Sequence, residues 1–436
     1  MTRPDPAAPV PKPSPAQVPN PGSNQVPSPA GAPVPGPDYW QDRANEAARS
    51  VTTLFGRRLL FLPGTHVGAV LWPSPSWYRD LKGALLGPWH YWWQAHYVDC
   101  LVDAGRRELR NGATPAARFN GPENPSAGRL ASRLVTGIRL RNGFTFVNNY
   151  YDDMAWLALA AHRLDRLAEE ARKPGRNAGL RKSLTLQFDA ASTSDMGGGV
   201  FWSKKRDFKN TPATAPVALY YARTGQPGKA QALLDWLDAT LFDPAQSLYL
   251  DGVRLNAAGE LVAERAVYTY NQGPVLGALL ELGGDGNLAR AAEVVEAVDR
   301  LLTVPAPIGG AYDGRVLRCE GTGDGGLFTG ILCRYLALAA TDRRLLPKTR
   351  ATAARLVTDT AEAFWAGKRG LAAGEGSTKQ RGKSIFSMHA AQPAEAAYPP
   401  GGAVELSTQL QAWMALEAAA AVHSRAGADG TGPAGS

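Results

Sequence analysis

Apolar residues recur three and four positions apart along most of the chain, as they do on the buried face of a helix. The pattern predicts twelve helices, near residues 39–57, 88–111, 129–137, 151–171, 177–190, 211–224, 227–242, 272–282, 286–302, 325–341, 347–366 and 404–425. Two short extended pieces, 248–253 and 261–268, predict a hairpin whose turn lies at 256–259. The expected fold class is therefore all-α.

Every second predicted helix opens with a polar, aromatic or glycine-rich segment. These segments are 89–93, 150–153, 209–214, 270–273, 324–328 and 404–409, and most are separated by roughly 55 to 61 residues. A period of this length indicates a repeated pair of helices. Six helical hairpins predict either a closed (α/α)6 barrel or an open solenoid. The barrel is favoured because its inner helices would bring these starts together at one end.

The two ends of the chain differ from the rest in composition. Residues 1–37 contain thirteen of the 33 prolines and few large apolar residues. Such a segment cannot build a core, so it is expected to be a disordered or polyproline-like tail. Residues 426–436 are small and polar and are expected to form a second disordered tail. Residues 38–425 are then the barrel domain.

Charge and targeting signals narrow the class of protein. The net charge is +8, but the basic residues are spread at helical spacing, so no nucleic-acid partner is expected. No apolar run is long enough to span a membrane. The N-terminus lacks the apolar core of a signal peptide, which predicts a cytoplasmic protein. Secretion is the alternative if the start codon is misplaced, and a monomer is expected.

Two consecutive aspartates, Asp152 and Asp153, stand among aromatic residues at a predicted helix start. One aspartate there commonly caps the helix, but the second is left beside a like charge. Like charge and burial raise one pKa while the other group stays ionised, which gives one acid and one nucleophile. Retaining glycosidases need such a pair, with carboxyl groups about 5 Å apart. Neighbours on a helix point about 100° apart, so they can straddle a sugar bond.

Other predicted helix starts supply side chains suited to sugars, since aromatic faces pack on sugar rings and polar groups bind hydroxyls. The candidate sugar contacts are Tyr150, Tyr151, Trp93, Trp202, Asn210, Tyr270, Asn271, Gln272 and Asp324. Each also has an ordinary interpretation as a core, cap or turn residue. The glycine run 197–199 before Trp202 is expected to let a ligand approach the backbone.

Two further patterns are rejected as sites. Residues 321–326 match GxGxxG, but that motif needs a parallel βαβ unit and the surrounding pattern is helical. His90 and His96 lie six residues apart, which is poor spacing for two ligands on one helix face. A catalytic zinc site is therefore not expected.

The motifs together resemble glycoside hydrolase family 76, the endo-α-1,6-mannanase family. The similar segments are 92–94 (WWQ), 150–156 (YYDDMAW), 198–202 (GGVFW), 209–210 (KN), 269–273 (TYNQG), 323–328 (GDGGLF) and 408–409 (TQ). They cover about residues 40–425 in the family's order. The resemblance implies an (α/α)6 barrel, no cofactor, and hydrolysis of α-1,6-mannosidic linkages in mannan or a mannose-containing glycoconjugate with retention of configuration. It places Asp152 as nucleophile and Asp153 as acid/base.

Other functions remain open on the residues alone. The first alternative is a carbohydrate-binding or transglycosylating protein on the same barrel. A second is another α/α enzyme, such as a sugar epimerase or an unsaturated-glycoside hydrolase. A helical scaffold for protein partners is a third, and it would leave the aspartate pair without a role.

Overall fold

The computed structural model describes residues 38–74, 87–308, 312–371, 375–399 and 402–429. The predicted tail 1–37 lies outside the described residues, as do residues 430–436. The last helix continues to Asp429, so the boundary predicted at residue 425 falls inside it.

All twelve predicted helices are present, and a one-turn helix is added. They are α1 Tyr39–Phe55, α2 Tyr91–Arg110, α3 Ala127–Arg141, α4 Tyr151–Glu170, α5 Ala178–Ala191, α6 Thr211–Arg223, α7 Pro227–Thr240, α8 Thr269–Leu282, α9 Asp285–Leu301, α10 Phe328–Thr341, α11 Pro347–Ala366, α12 Ala394–Ala397 and α13 Leu406–Asp429. Within the part of the chain that the structure describes, no helix is both long and apolar enough to cross a bilayer.

Six helices, α2, α4, α6, α8, α10 and α13, form an inner ring in which each packs on the next. The ring closes where α13 packs on α2. There the rings of Tyr97 and Trp413 lie 6.0 Å apart, and Arg107 donates to both carboxylate oxygens of Glu417 at 2.8 and 2.6 Å. Helices α1, α3, α5, α7, α9 and α11 pack outside this ring. The (α/α)6 barrel is thus confirmed over the open solenoid.

Inner and outer helices differ in composition because they face different surroundings. Helix α6 is buried at every residue from Thr211 to Tyr221, since it packs both toward the barrel axis and toward the outer ring. Helix α9 is buried only along one stripe that includes Ala291, Val294 and Val298. An apolar circumference is typical of a helix enclosed on all sides, and a stripe is typical of one that faces water.

Short antiparallel strands connect the helices. They are β1 Gly56–Arg57, β2 Val67–Gly68, β3 Leu71–Trp72, β4 Lys209–Asn210, β5 Phe242–Asp243, β6 Leu248–Tyr249, β7 Gly252–Leu255, β8 Leu261–Glu264, β9 Thr303–Ile308, β10 Tyr312–Leu317, β11 Arg369–Gly370, β12 Ser384–Ile385 and β13 Val404–Glu405. The predicted hairpin is β7–β8, with Leu255 opposite Leu261. The hairpin β9–β10 was not predicted, because prolines such as Pro305 and Pro307 are unfavourable within a strand.

A buried ionic network joins three inner helices farther along the barrel axis. Arg163 on α4 and Arg334 on α10 each contact both Asp99 and Asp103 on α2. The Arg334 distances are 3.2 Å to Asp99 and 3.1 Å to Asp103. Although burial acts to raise the pKa of Asp99, the two arginines hold it at about 2. The network therefore links α2, α4 and α10 through side chains that remain ionised.

Candidate active site

The two aspartates lie in the first turn of α4, at the end of the barrel where the inner helices begin. Tyr150 precedes the helix with extended backbone (φ −117°, ψ 126°) and does not cap it with its side chain. The backbone N–H of Tyr151 donates to the carbonyl oxygen of Trp202 at 2.8 Å. This bond fixes Trp202 directly beside the helix start that carries Asp152 and Asp153.

The two carboxyl groups have different hydrogen-bond partners. Trp202 Nε1 donates to Asp152 Oδ2 at 3.0 Å, and Asn148 Nδ2 donates to Asp153 Oδ2 at 2.7 Å. Asp152 Oδ1 is buried and has no partner among the described residues. Each carboxylate thus has a side-chain N–H group that holds one of its oxygens.

The surroundings of Asp152 and Asp153 give the two carboxyl groups different pKa values. Burial raises the pKa of Asp152 to about 7, although its neighbouring backbone N–H groups and the Trp202 indole oppose the rise. Burial and the charge of Asp152 raise the pKa of Asp153 well above its usual range, against the hydrogen bond from Asn148. The charge of Asp324 adds to both increases. Asp152 therefore ionises first and Asp153 keeps the proton, as one acid and one nucleophile require.

Aromatic rings surround the pair at the helix starts. Tyr150 and Trp202 are 42% and 36% exposed, and their ring centroids lie 5.0 Å apart. Tyr270 stacks on Phe328 with centroids 3.8 Å apart, and Trp92 lies 6.3 Å from both rings. Phe328 is buried, but Tyr150, Trp202, Tyr270 and Trp92 are at least partly exposed, and such aromatic faces can pack on sugar rings.

Asp324 joins two of the inner helices at the cavity. It lies in the short 3-10 helix Gly323–Leu327 before α10, and its Oδ1 accepts from Trp92 Nε1 at 2.9 Å and from Trp93 Nε1 at 3.0 Å. Trp93 is only 1% exposed and stacks on His90 at 4.1 Å. The prediction of Trp93 as a sugar contact is therefore corrected: Trp93 positions Asp324, and the neighbouring Trp92 is only partly buried.

Comparison with known proteins identifies the family. Residues 39–422 match the sequence profile of Glycosyl hydrolase family 76, which is most of the chain. The chain belongs to this family. No curated protein sequence matches this chain significantly.

Solved structures agree with the family assignment. The α-1,6-mannanase GH76A from Salegentibacter sp. HEL1_6 is 25% identical, with a TM-score of 0.67 over 88% of this chain and 99% of its own. An inactive variant of that enzyme, with two consecutive aspartates changed to asparagine, was solved with α-1,6-mannotriose; it has a TM-score of 0.66, with the same identity and coverage. Dfg5 from Chaetomium thermophilum, solved with glucosamine, is 16% identical with a TM-score of 0.55 over 80% of this chain and 88% of its own, and shares the fold.

Two amides predicted as sugar contacts instead hold the backbone of the family-76 barrel. Asn210 is buried and caps α6, because its side-chain oxygen accepts from the N–H of Ala213 at 3.1 Å. Gln272 is fully buried, and its amide bonds to both the N–H and the carbonyl oxygen of Tyr249 at 2.9 Å. These side chains are already satisfied inside the protein, so the expectation of sugar contact is corrected for both.

Asn271 and Tyr151 are also enclosed. Asn271 is fully buried, and its Nδ2 donates to Asp251 Oδ1 at 3.3 Å, while its own Oδ1 has no partner in the described ranges. Tyr151 is 5% exposed and packs in the core. The structure thus brings Asp152, Asp153, Tyr150, Trp202, Tyr270 and Asp324 close together at the starts of the inner helices, whereas the other predicted contacts are buried.

The glycine run has a different cause from the one expected. A Cβ on Gly198 would lie 2.8 Å from Trp236 Cδ1, and one on Gly199 would lie 2.5 Å from Trp236 Cε3. Both glycines have positive φ, 137° and 74°. The run is therefore required by the packing of a tryptophan from α7, and the expectation of ligand approach to this backbone is corrected.

Sequence reasoning missed several groups of the family-76 site. Trp92 stands within the similar segment 92–94 and Asn148 stands two residues before the segment 150–156, so their positions were the available signal. Asp251 is partly buried, and its charge adds to the effect of burial that raises the pKa of Tyr270 well above its usual range. His96 is buried beside Trp156 at 4.7 Å, and neither ring nitrogen has a partner among the described residues. Burial lowers the pKa of His96 to about 3, so the ring is neutral.

Proposed function

We propose that the chain is a retaining glycoside hydrolase that cleaves α-1,6-mannosidic linkages in mannan or a mannose-containing glycoconjugate. The observation that carries the proposal is the pair of adjacent carboxyl groups with unequal proton affinity at the barrel opening, Asp152 and Asp153. Membership of family 76 supports the reaction class. The linkage is supported by the 25% identical mannanase, whose inactive variant binds α-1,6-mannotriose.

The reaction follows from the roles of the two carboxyl groups. Ionised Asp152 attacks the anomeric carbon, and the bond from that carbon to the glycosidic oxygen breaks as Asp153 gives this oxygen its proton. Asp153, now ionised, takes a proton from a water molecule whose oxygen attacks the anomeric carbon. Asp152 leaves as a carboxylate, and two inversions give net retention. The Trp202 N–H stabilises the Asp152 anion before and after this cycle.

Replacing either aspartate by asparagine tests the assignment. We expect Asp152→Asn and Asp153→Asn each to lower kcat on α-1,6-mannan by about 10³-fold or more, with the thermal midpoint preserved. With an aryl α-mannoside that has a good leaving group, Asp153→Asn should still form the glycosyl-enzyme, because no acid is needed, whereas Asp152→Asn should not. Asp207→Asn, at an exposed position on a neighbouring loop, is the matched control.

Product analysis separates the proposal from its alternatives. NMR of the first products should show the α-anomer, and α-1,6-mannan should be cleaved faster than α-1,2- or α-1,3-linked mannan. Products longer than the substrate would indicate transglycosylation, and sugar affinity without cleavage would indicate a binding protein. Hydrolysis that persists in both aspartate variants, or a β-anomer as first product, would contradict the mechanism.

A further inference from the structure

The side-chain ammonium of Lys209 is enclosed by backbone oxygens. Lys209 is fully buried. Its Nζ lies within hydrogen-bonding distance of the carbonyl oxygens of Thr193 (2.8 Å), Asp195 (2.7 Å), Gly198 (2.6 Å) and Gly199 (3.2 Å), and of Thr193 Oγ1 (3.1 Å). We call these five oxygens the Lys209 cage. Because an ammonium has three N–H donors, the oxygens share them, and the loop is held around one buried charge.

The loop in the cage leads directly to the residue that contacts the nucleophile. Trp202 donates its backbone N–H to the carbonyl oxygen of Phe208 at 2.8 Å, next to Lys209. Its own carbonyl oxygen accepts from the N–H of Tyr151 at 2.8 Å. Its indole donates to Asp152 Oδ2 at 3.0 Å. Lys209 therefore contacts the Trp202 segment through its side chain on one side and through its strand on the other.

We propose that Lys209 is a positioning residue for the reaction: its ammonium holds residues 193–199 so that the Trp202 indole stays aimed at the Asp152 carboxylate. The inference rests on the proposed function, because it assigns Asp152 the role of nucleophile. It explains why Lys209, at the start of β4, is buried with its ammonium bonded to a loop and to no carboxylate among the cage atoms. A buried charge costs free energy unless it is fully hydrogen-bonded, and the cage supplies those bonds.

The charge state of Lys209 fits this role. Burial lowers the pKa of Lys209 to about 8; the charge of Asp195 opposes the lowering, and that of Arg206 adds to it. The amine is therefore protonated at neutral pH. The Phe201 ring lies 4.5 Å from Nζ and covers another side of the ammonium.

Lys209→Met tests the proposal, because it keeps the length of the side chain and removes its donors. We expect kcat/KM at neutral pH to fall by about tenfold or more, the loss of a hydrogen bond to a charged group. The acid limb of the kcat/KM profile should move to higher pH, as it should in Trp202→Phe, since Trp202→Phe removes the indole N–H that lowers the Asp152 pKa and Lys209→Met no longer holds that N–H in place. Lys205→Met, at an exposed lysine of the same segment, is the control and should change neither.

A double-mutant cycle decides whether Lys209 acts through Trp202. In the Trp202→Phe background, Lys209→Met should add little further loss, whereas additive effects, or an unchanged acid limb in Lys209→Met alone, would overturn the proposal. If Lys209→Met does not fold, Thr193→Val, which removes one cage oxygen, should give a smaller shift in the same direction, and no shift would overturn it. Titration of ¹³C-labelled Asp152 by NMR measures the same pKa shift without an activity assay. If the chain were inactive on mannan, the proposed function would be wrong, but the NMR titration would still test the role of Lys209.

Discussion

Asp324 raises the pKa of both neighbouring aspartates, Asp152 and Asp153. The effect comes from its charge, and two indole N–H groups from Trp92 and Trp93 hold its carboxylate in place. Asparagine has nearly the same shape, and its amide oxygen can accept the same two bonds. Asp324→Asn therefore removes a charge from the cavity while keeping the contacts that position the side chain.

The expected result of Asp324→Asn is a shift of the whole activity profile to lower pH. In the proposed mechanism Asp152 attacks only when ionised, so the acid limb of kcat/KM should follow its pKa downward from about 7. Asp153 acts as the acid only when protonated, so the alkaline limb should move in the same direction. Kinetics across both limbs measure the shift. A profile that stays in place, or moves upward, would show that this charge does not act on the pair.

At the same scale, local sequence order indicates which residues lie at a helix start, but it does not show which distant partners a side chain will contact. The Asp152–Asp153 pair is visible because like charges are adjacent at a helix start. Nothing near Gln272 in the sequence indicates that Tyr249 will take its amide bonds. Nor does the sequence show which of Trp92 and Trp93 faces the cavity, because that depends on how α2 is rotated within the barrel.

At the scale of elements, helix positions were predictable because the apolar period is a local property, as the twelve confirmed helices show. The interpretation of the glycine run failed because its cause, Trp236, lies on another helix. The loop that carries Trp202 is thus shaped by packing on α7 as well as by the Lys209 cage. Both constraints act on the same short segment, which precedes Trp202 in the candidate active site.

Gly199→Ala tests the packing constraint. The new Cβ would lie 2.5 Å from the Trp236 ring at a residue with φ of 74°, so both overpacking and backbone strain oppose it. We expect a loss of about 2–4 kcal/mol in the free energy of unfolding, measured as a lower thermal midpoint, together with reduced activity. Gly228→Ala in the first turn of α7 is the control, since a Cβ there meets nothing within 4 Å. Equal midpoints for the two variants would contradict the packing argument.

At the scale of the whole molecule, the sequence repeat predicted six hairpins, and the closed ring follows from contacts between the first and last inner helices. The repeat could not show what joins the helices across the barrel axis. The residues of the ionic network, Asp99, Asp103, Arg163 and Arg334, come from helices far apart in sequence. From the sequence alone, these charged residues look like ordinary exposed positions on helices. These four side chains become buried only when the inner helices close into the ring.

Arg334→Met tests how much this network stabilises the ring. Removing one partner leaves Asp99 and Asp103 buried with less compensating charge, which should cost about 3–5 kcal/mol in the free energy of unfolding. Arg355→Met is the control, because the Arg355 and Asp299 side chains are 43% and 33% exposed and their pair should contribute less than about 1 kcal/mol. Similar thermal midpoints for the two variants at neutral pH would contradict a stabilising role.

The pH dependence of Arg334→Met gives an independent check on the same network. The pKa of Asp99 is lowered from 3.8 to about 2 in the folded protein, so its contribution is present above the unfolded pKa and is lost as pH falls through the folded pKa. In the variant this lowering should be smaller, because one of the two arginines is gone. The gap between wild-type and variant midpoints should therefore be widest near neutral pH and should narrow below pH 3.8. A gap that stayed constant across this range would assign the lost stability to packing of the Arg334 side chain and not to its charge.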